Sequence, residues 1–261
     1  SLLISGSISW LYYSDRLVEL PLGVFGIAIA TVILPALSAK YSKKDMAAYK
    51  STLGNALNIA VVFSLPAMFG LVILSNHIII SLFQYGSFTI NDTLMSSMSL
   101  VAYSIGLPAF ILMKVLLTGF FSRQDTKTPV RYGIIAVAFN VAMNLSVLAY
   151  YLHNPFNGAH AFLALATSLS AWLQVFLLYK NLRQNDYISK SIFKTKPSYQ
   201  SLLSCIIMAI ILSYTLLDVL EWSQNAYYVR GALLLIYIIM GAIIYTSTMY
   251  ILGYKIKKNY I

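Results

Sequence analysis

Residues 94–121 read LMSSMSLVAYSIGLPAFILMKVLLTGFF, twenty-eight residues with a single ionisable side chain, Lys114. At about 1.5 Å of rise per residue, a helix of this length spans about 42 Å, more than the roughly 30 Å of bilayer hydrocarbon. Inside hydrocarbon the backbone must satisfy its own N–H and C=O groups, so such a run is helical. A barrel strand would be shorter and would alternate in polarity. Working outward, similar runs lie near 10–37, 53–74, 133–152, 161–179, 202–220 and 232–252. The predicted class is all-α: a polytopic membrane protein with about seven transmembrane helices.

Composition agrees. Of 261 residues, 59% are hydrophobic and 10% charged, where a soluble domain carries about a quarter charged residues. The net charge of +10 invites a nucleic-acid reading, but the cations sit in short loops between apolar runs. Lys40, Lys43, Lys44 and Lys50 follow the first run, and Arg123, Lys127 and Arg131 the third. Lys180, Arg183, Lys190, Lys194 and Lys196 follow the fifth, and Lys255, Lys257 and Lys258 the last. The alternate loops are nearly free of Lys and Arg, so positive loops predict a cytoplasmic C-terminus and no nucleic-acid partner. Trp10, Tyr12, Tyr13, Tyr150, Tyr151, Trp222, Tyr227 and Tyr228 fall at predicted outer ends, as an interfacial belt would. The segment 77–83 is too short to span and is expected at the interface or dipping into the protein. Cys205, the lone cysteine, reads as a small hydrophobe. The chain has no starting Met and opens on what reads as the end of an earlier helix, so a fragment of a longer protein is expected.

Ionisable side chains within such runs cost roughly 3 kcal/mol on insertion scales and need a reason. The first cluster is Ser14-Asp15-Arg16-Leu17-Val18-Glu19-Leu20-Pro21. On a helix Arg16 and Glu19 share a face and can pair, with Asp15 four residues before Glu19. Arg16 is either a fork for an anionic substrate in a hydrated cavity or half of a self-neutralised pair near the interface; spacing leaves both open. Pro21, Gly23 and Gly26 permit a kink or a close helix contact. Lys114 lies about 13 Å inside its run, cavity-facing, snorkelling or paired. Arg230 reads as an interfacial anchor with Glu221 or Asp218 as partner. Asn55, Asn58, Asn140, Asn144 and Gln174 are polar residues expected to bond neighbouring helices. No spacing suggests a metal site, a phosphate loop or a nucleophile with its base. No cofactor is expected.

Three stretches carry a resemblance. They are residues 6–21 (GSISWLYYSDRLVELP), continuing through Gly23-Val24-Phe25-Gly26 to Leu34-Pro35; residues 119–130 (GFFSRQDTKTPV); and residues 81–89 (SLFQYGSFT). They resemble the MurJ (MviN) family of lipid II flippases, strongly over residues 5–130 and beyond that through helix count and the loop at 180–200. The resemblance implies a C-terminal lobe of the multidrug/oligosaccharidyl-lipid exporter (MATE-like) fold over 1–183, running from the end of the family's helix 7 to helix 12. It further implies a cytoplasmic loop at 184–200 and a two-helix lipid-groove appendix, helices 13 and 14, at 201–261. It implies translocation of lipid II, the peptidoglycan precursor, from inner to outer leaflet of the bacterial cytoplasmic membrane. Arg16 matches the family's essential arginine, thought to bind the diphosphate. Asp15 and Glu19 match acids beside it, and Lys114 matches a lysine position. Expected partners are lipid II, membrane lipid and the missing N-terminal lobe. Membrane potential or a coupling ion is the expected energy source, and the chain alone is expected not to transport.

Competing readings are another lipid-linked oligosaccharide flippase or drug exporter of the same superfamily, a membrane-embedded enzyme, and a non-transporting scaffold. The 122–130 motif favours the MurJ family over these, and an enzyme would need clustered acids or metal ligands.

Overall fold

The computed structural model describes residues 4–188 and 195–254. Lys190, Lys194, Lys255, Lys257 and Lys258, and with them the end of the chain, lie outside the described residues. Helices α1 (Ser7–Pro21) and α2 (Ala28–Ser42) join through a wide π-helical turn, Leu22–Ile27, into one rod. Next come α3 (Met46–Ile73), a short α4 (Ser75–Phe83), α5 (Ile90–Phe121), α6 (Lys127–His153) and α7 (Ala159–Gln184). Then α8 (Lys196–Thr215), a short α9 (Val219–Gln224) and α10 (Tyr227–Ile251) complete the described chain. Seven helical stretches are long and apolar enough to cross a bilayer. The chain is thus a multi-pass α-helical membrane protein.

The apolar run 94–121, within α5, is the centre of the molecule. Helix α5 packs against α1, α2, α3, α4 and α7, and Leu107, Ile111, Leu112, Val115 and Leu116 along it are wholly buried. Its start is fixed by a capping box in which Thr89 and Asp92 exchange side-chain and backbone bonds. Where it meets α7, Gly106 lets the backbones close: a Cβ there would lie 2.9 Å from the Ser168 Cα. Small residues permit this approach, and Ser168 uses it to donate to the Ala102 carbonyl at 2.7 Å. Helix α6 is the opposite case, with only Pro129 and Ala136 buried among its 27 residues.

The basic loops gather at one end. Tyr49, with no exposed surface, donates to the Gly119 carbonyl at 2.6 Å. The Arg123 guanidinium lies 3.8 Å from the centre of the Tyr187 ring, and Lys50 pairs with Asp186 at 2.5 Å. These contacts tie the α2–α3, α5–α6 and α7 ends together. The α8–α10 hairpin docks on α3, where Tyr245 donates to the Val62 carbonyl at 2.7 Å and bonds Ser201 at 2.9 Å. Cys205 is buried in that seam.

Several expectations change at the opposite end. The sixth run, expected over 202–220, is a helix at Lys196–Thr215 followed by a break and α9. The segment 77–83 takes the second of its two expected placements, dipping into the protein as part of α4, with His77, Ile78, Ile79, Ile80 and Ser81 buried. Trp10 and Trp222, read as belt residues, are 4% and 0% exposed. Each indole N–H has an internal acceptor, Asp92 for Trp10 and Ser81 for Trp222, so these rings pack between helices. Tyr12, Tyr150, Tyr227 and Tyr228 are exposed. Arg230 has no acidic partner among the described residues; it donates to the Asn225 carbonyl at 2.8 Å, to the Gln84 carbonyl at 3.5 Å, and to that of Ser223. Three carbonyls left over at helix ends suit a planar fork better than one carboxylate.

His77 sits in this clasp. Its ring meets Trp222 edge-on at 4.6 Å, its Nε2 lies 3.0 Å from the Leu217 carbonyl, and its Nδ1 is buried without a partner. Nε2 therefore carries the proton. Burial holds the His77 pKa below its ordinary value, against the smaller opposing effect of the Leu217 bond. A depressed histidine pKa favours docking above the free value and loses that contribution as pH falls through it. Acidification below about pH 6.5 is therefore expected to raise hydrogen exchange around α9, after correction for intrinsic rates. His77→Gln, which keeps a donor but cannot titrate, is expected to remove the pH step; a step that persists in the variant would place the titration elsewhere.

Candidate functional site

The charged cluster is built by the two faces of α1. The inner face carries Trp10, Ser14, Leu17 and Val18, all buried. Trp10 Nε1 donates to Asp92 Oδ1 at 2.8 Å, and the Trp10 ring lies 4.9 Å from that of His160. Ser14 donates to its own helix at Trp10 and to the Ser96 carbonyl of α5 at 2.7 Å. With that side fixed, helical periodicity turns Tyr12, Asp15, Arg16 and Glu19 outward, and all four are exposed.

Arg16 Nη1 donates to Glu19 Oε2 at 2.7 Å, with side chains 57% and 50% exposed. The same guanidinium lies 5.0 Å from the centre of the Tyr12 ring. Tyr12, Arg16 and Glu19 thus form a column at four- and three-residue spacing, holding a planar cation in one orientation. Asp15 stands beside it, within electrostatic reach of Glu19, Arg16 and Tyr103 of α5. An ion pair this exposed contributes little to folding. The pair engages Nη1 of the guanidinium and leaves its remaining N–H donors without a carboxylate acceptor among the described residues.

Lys114 does not join this cluster. Its stem packs near Gly26 in the wide turn, where an added Cβ would lie 3.6 Å from Lys114 Cγ. Gly26 is ten residues beyond Arg16, about 15 Å along the rod. Lys114 has no hydrogen bond or ion pair among the described residues. The wide turn follows Pro21, which lacks the N–H that would continue the ladder.

The intramembrane amides divide. Asn144 donates to Asn140 at 3.1 Å, and Asn140 to Thr167 at 3.4 Å, joining α6 to α7. Asn58 accepts from Thr195 at 2.9 Å, joining α3 to the start of α8. Among the described residues, no three of His, Cys, Asp and Glu gather at metal-binding distances. Residue spacing pointed to Asp15, Arg16 and Glu19 but missed Tyr12, Trp10 and Ser14. Tyr12 stands four residues before Arg16, the one signal by which it was open to discovery.

The family model for "Lipid II flippase MurJ" matches residues 1–239. The chain belongs to the MurJ family. A protein from Haemophilus influenzae described as a probable lipid II flippase MurJ is 37% identical over 267 residues, covering 100% of this chain and 50% of that protein. One from Vibrio cholerae with the same description is 50% identical over 182 residues, 70% of this chain and 33% of its own length. A solved structure described as lipid II flippase MurJ in an inward closed conformation superposes with a TM-score of 0.76 at 26% identity, covering 94% of this chain and 47% of that one. The chain thus spans about half the length of the curated MurJ relatives it matches at full coverage.

The inner-face anchors make a testable claim about this MurJ-family chain. Trp10→Phe keeps a ring beside His160 and loses the bond to Asp92. It is expected to lower stability in detergent by about 1.5–3 kcal/mol, the usual worth of a hydrogen bond to a charged group. An unchanged unfolding midpoint would show that the indole N–H contributes nothing to holding α1.

Proposed function

We propose that this chain serves in a lipid II flippase, as the C-terminal lobe and two-helix appendix of a MATE-like transporter in the bacterial inner membrane. The observation that carries the reading is the exposed Tyr12–Arg16–Glu19 column, with Asp15 beside it, on a rod of a MurJ-family chain. In the proposed map, residues 1–183 form the lobe and 201–261 the groove-forming pair, joined over 184–200 by a cytoplasmic connection whose end is the first turn of α8. The basic end, with Lys40, Lys50, Arg123 and Arg183, is cytoplasmic, and so is the C-terminus.

In this reading Arg16 binds the substrate diphosphate. A guanidinium keeps its charge at any physiological pH and offers paired donors matching two phosphate oxygens. Glu19 and Tyr12 orient the fork, and Asp15 tunes the local field. The polar headgroup must cross about 30 Å of hydrocarbon. A hydrated cationic cavity replaces its lost solvation while the prenyl tail stays in lipid. Lys114, near the wide turn, is a second cation on the path of the headgroup. Alternating access requires two lobes rocking about a shared cavity, so the chain alone does not transport. Membrane potential acting on cavity charges, or a coupling ion, supplies the bias.

The test is rescue of a bacterium depleted of its lipid II flippase by the full-length parent protein, with Arg16→Ala beside it and equal membrane insertion verified. Rescue by the parent and failure of Arg16→Ala is expected. Rescue by both would make Arg16 an orienting residue, and failure of the inserted parent would assign another lipid-linked substrate.

A further inference from the structure

Helix α7 carries a stripe that neither the charged cluster nor the hairpin seam uses. Trp172, Phe176, Tyr179, Lys180 and Arg183 recur at three- and four-residue spacing, so they share one face. Two hollows lie along it. The inner one, about 180 Å³, is bounded by Leu65 of α3, Pro108 and Leu112 of α5, Trp172 of α7, and Tyr199 and Leu202 of α8. Its walls are almost wholly apolar. Tyr199 and Leu202 are exposed, so its open side faces the surroundings of the helices. The outer hollow lies along Phe176, Tyr179, Lys180 and Arg183, at the basic end. Trp172 and Lys180 are eight residues apart, about 12 Å along the helix.

The polar groups of the outer hollow are unspent. Lys180 and Arg183 are exposed, and neither has an acidic partner among the described residues. Asp186, the one acid between Asp125 and Asp218, is engaged by Lys50. The Tyr179 hydroxyl is buried with no partner, a costly arrangement unless something accepts its proton. Two cations at the rim with an unsatisfied hydroxyl buried behind them, beside an exposed Phe176 and an apolar hollow, match an amphiphile with an anionic head and an acyl tail.

We infer that this stripe is a binding site for an anionic glycerophospholipid. The headgroup phosphate sits on Lys180 and Arg183 and accepts from Tyr179. One acyl chain runs past Phe176 to the hollow beside Trp172. The site is centred on α7, its inner hollow closed by α3, α5 and α8, and neither Arg16 nor Lys114 lines it, so it is independent of the lipid II reading. Two cations near an anionic leaflet give a preference of about thirtyfold over a zwitterionic lipid of the same chains, at the strength typical of each.

The test uses the full-length protein in phosphatidylcholine vesicles containing either phosphatidylglycerol or phosphatidylcholine brominated on its acyl chains. The readout is the Trp172 contribution to fluorescence quenching, obtained by difference from Trp172→Phe. Brominated phosphatidylglycerol is expected to quench at far lower mole fraction than brominated phosphatidylcholine. K180Q/R183Q, whose side chains are exposed and whose fold is checked by its unfolding midpoint, is expected to abolish that difference, and Tyr179→Phe to reduce it. Equal quenching by the two lipids in the parent, or a preference that survives K180Q/R183Q, would overturn the site. So would displacement of the quencher by added undecaprenyl diphosphate, which would assign the stripe to a prenyl tail. No arm measures flipping, so failure here leaves the flippase reading where it stands.

Discussion

The outward cluster depends on how α1 is held from behind. A charged column on an apolar rod is costly, and a free helix would rotate to hide or pair it. Here rotation is blocked by two polar contacts on the inner face. The Trp10 indole reaches the carboxylate that also caps α5, and Ser14 reaches the Ser96 carbonyl one turn below. Both acceptors belong to α5, the most enclosed helix of the described chain. The orientation of Arg16 is thus set by the element least able to move. Asp92 serves twice, closing the α5 capping box and holding Trp10, so the start of α5 and the rotation of α1 are one structural decision.

Seven apolar runs against about 30 Å of hydrocarbon leave no other fold class, so the helices were legible before any coordinate. Their boundaries were less so. The run 202–220 hides a break because Leu216, Leu217 and Leu220 keep it apolar while the backbone turns; hydropathy does not report backbone direction. Pairing was legible where it is local. Arg16 and Glu19 meet because three residues of helix bring them together. Arg230 was assigned nearby acids on the same logic, yet it caps carbonyls at the ends of α4 and α9, a tertiary need that composition does not encode. Trp10 and Trp222 failed as belt residues for a related reason. A ring near an interface satisfies its N–H in water or in protein, and only the neighbouring helix decides which.

The two ends of the molecule solve different problems. At the basic end, aromatic rings take up the cations: Arg123 lies over Tyr187 and near Phe120, and Tyr49 bonds the last turn of α5. At the other end, charge is scarce and indoles and histidines do the joining, with His160 on Trp10 and His77 on Trp222. Neutral imidazoles suit a dry junction, since a buried cation without a partner would be expensive. The helix bundle is therefore tied at its two ends by unlike chemistry, and of the contacts named the histidine junctions are the ones within reach of protonation.

The wide turn between Arg16 and the basic end gives the rod its remaining freedom. A π-helical turn following a proline has a weaker ladder than the helix on either side, and Leu22–Ile27 lies next to the only intramembrane lysine of α5. Above it, α1 is pinned by Trp10 and Ser14; below it, α2 rests on α3. On the proposed reading, the guanidinium is already neutralised by Glu19 through Nη1 alone. An arriving diphosphate therefore needs only the free edge of the fork, and Glu19 need not leave first. A pair that neutralises without saturating keeps the cation ordered and affordable in the empty state, and still leaves donors for an anion. On that same proposed reading, replacing Arg16 by lysine would keep the charge but discard the second edge, so the fork rather than the charge alone would be what α1 presents to the substrate.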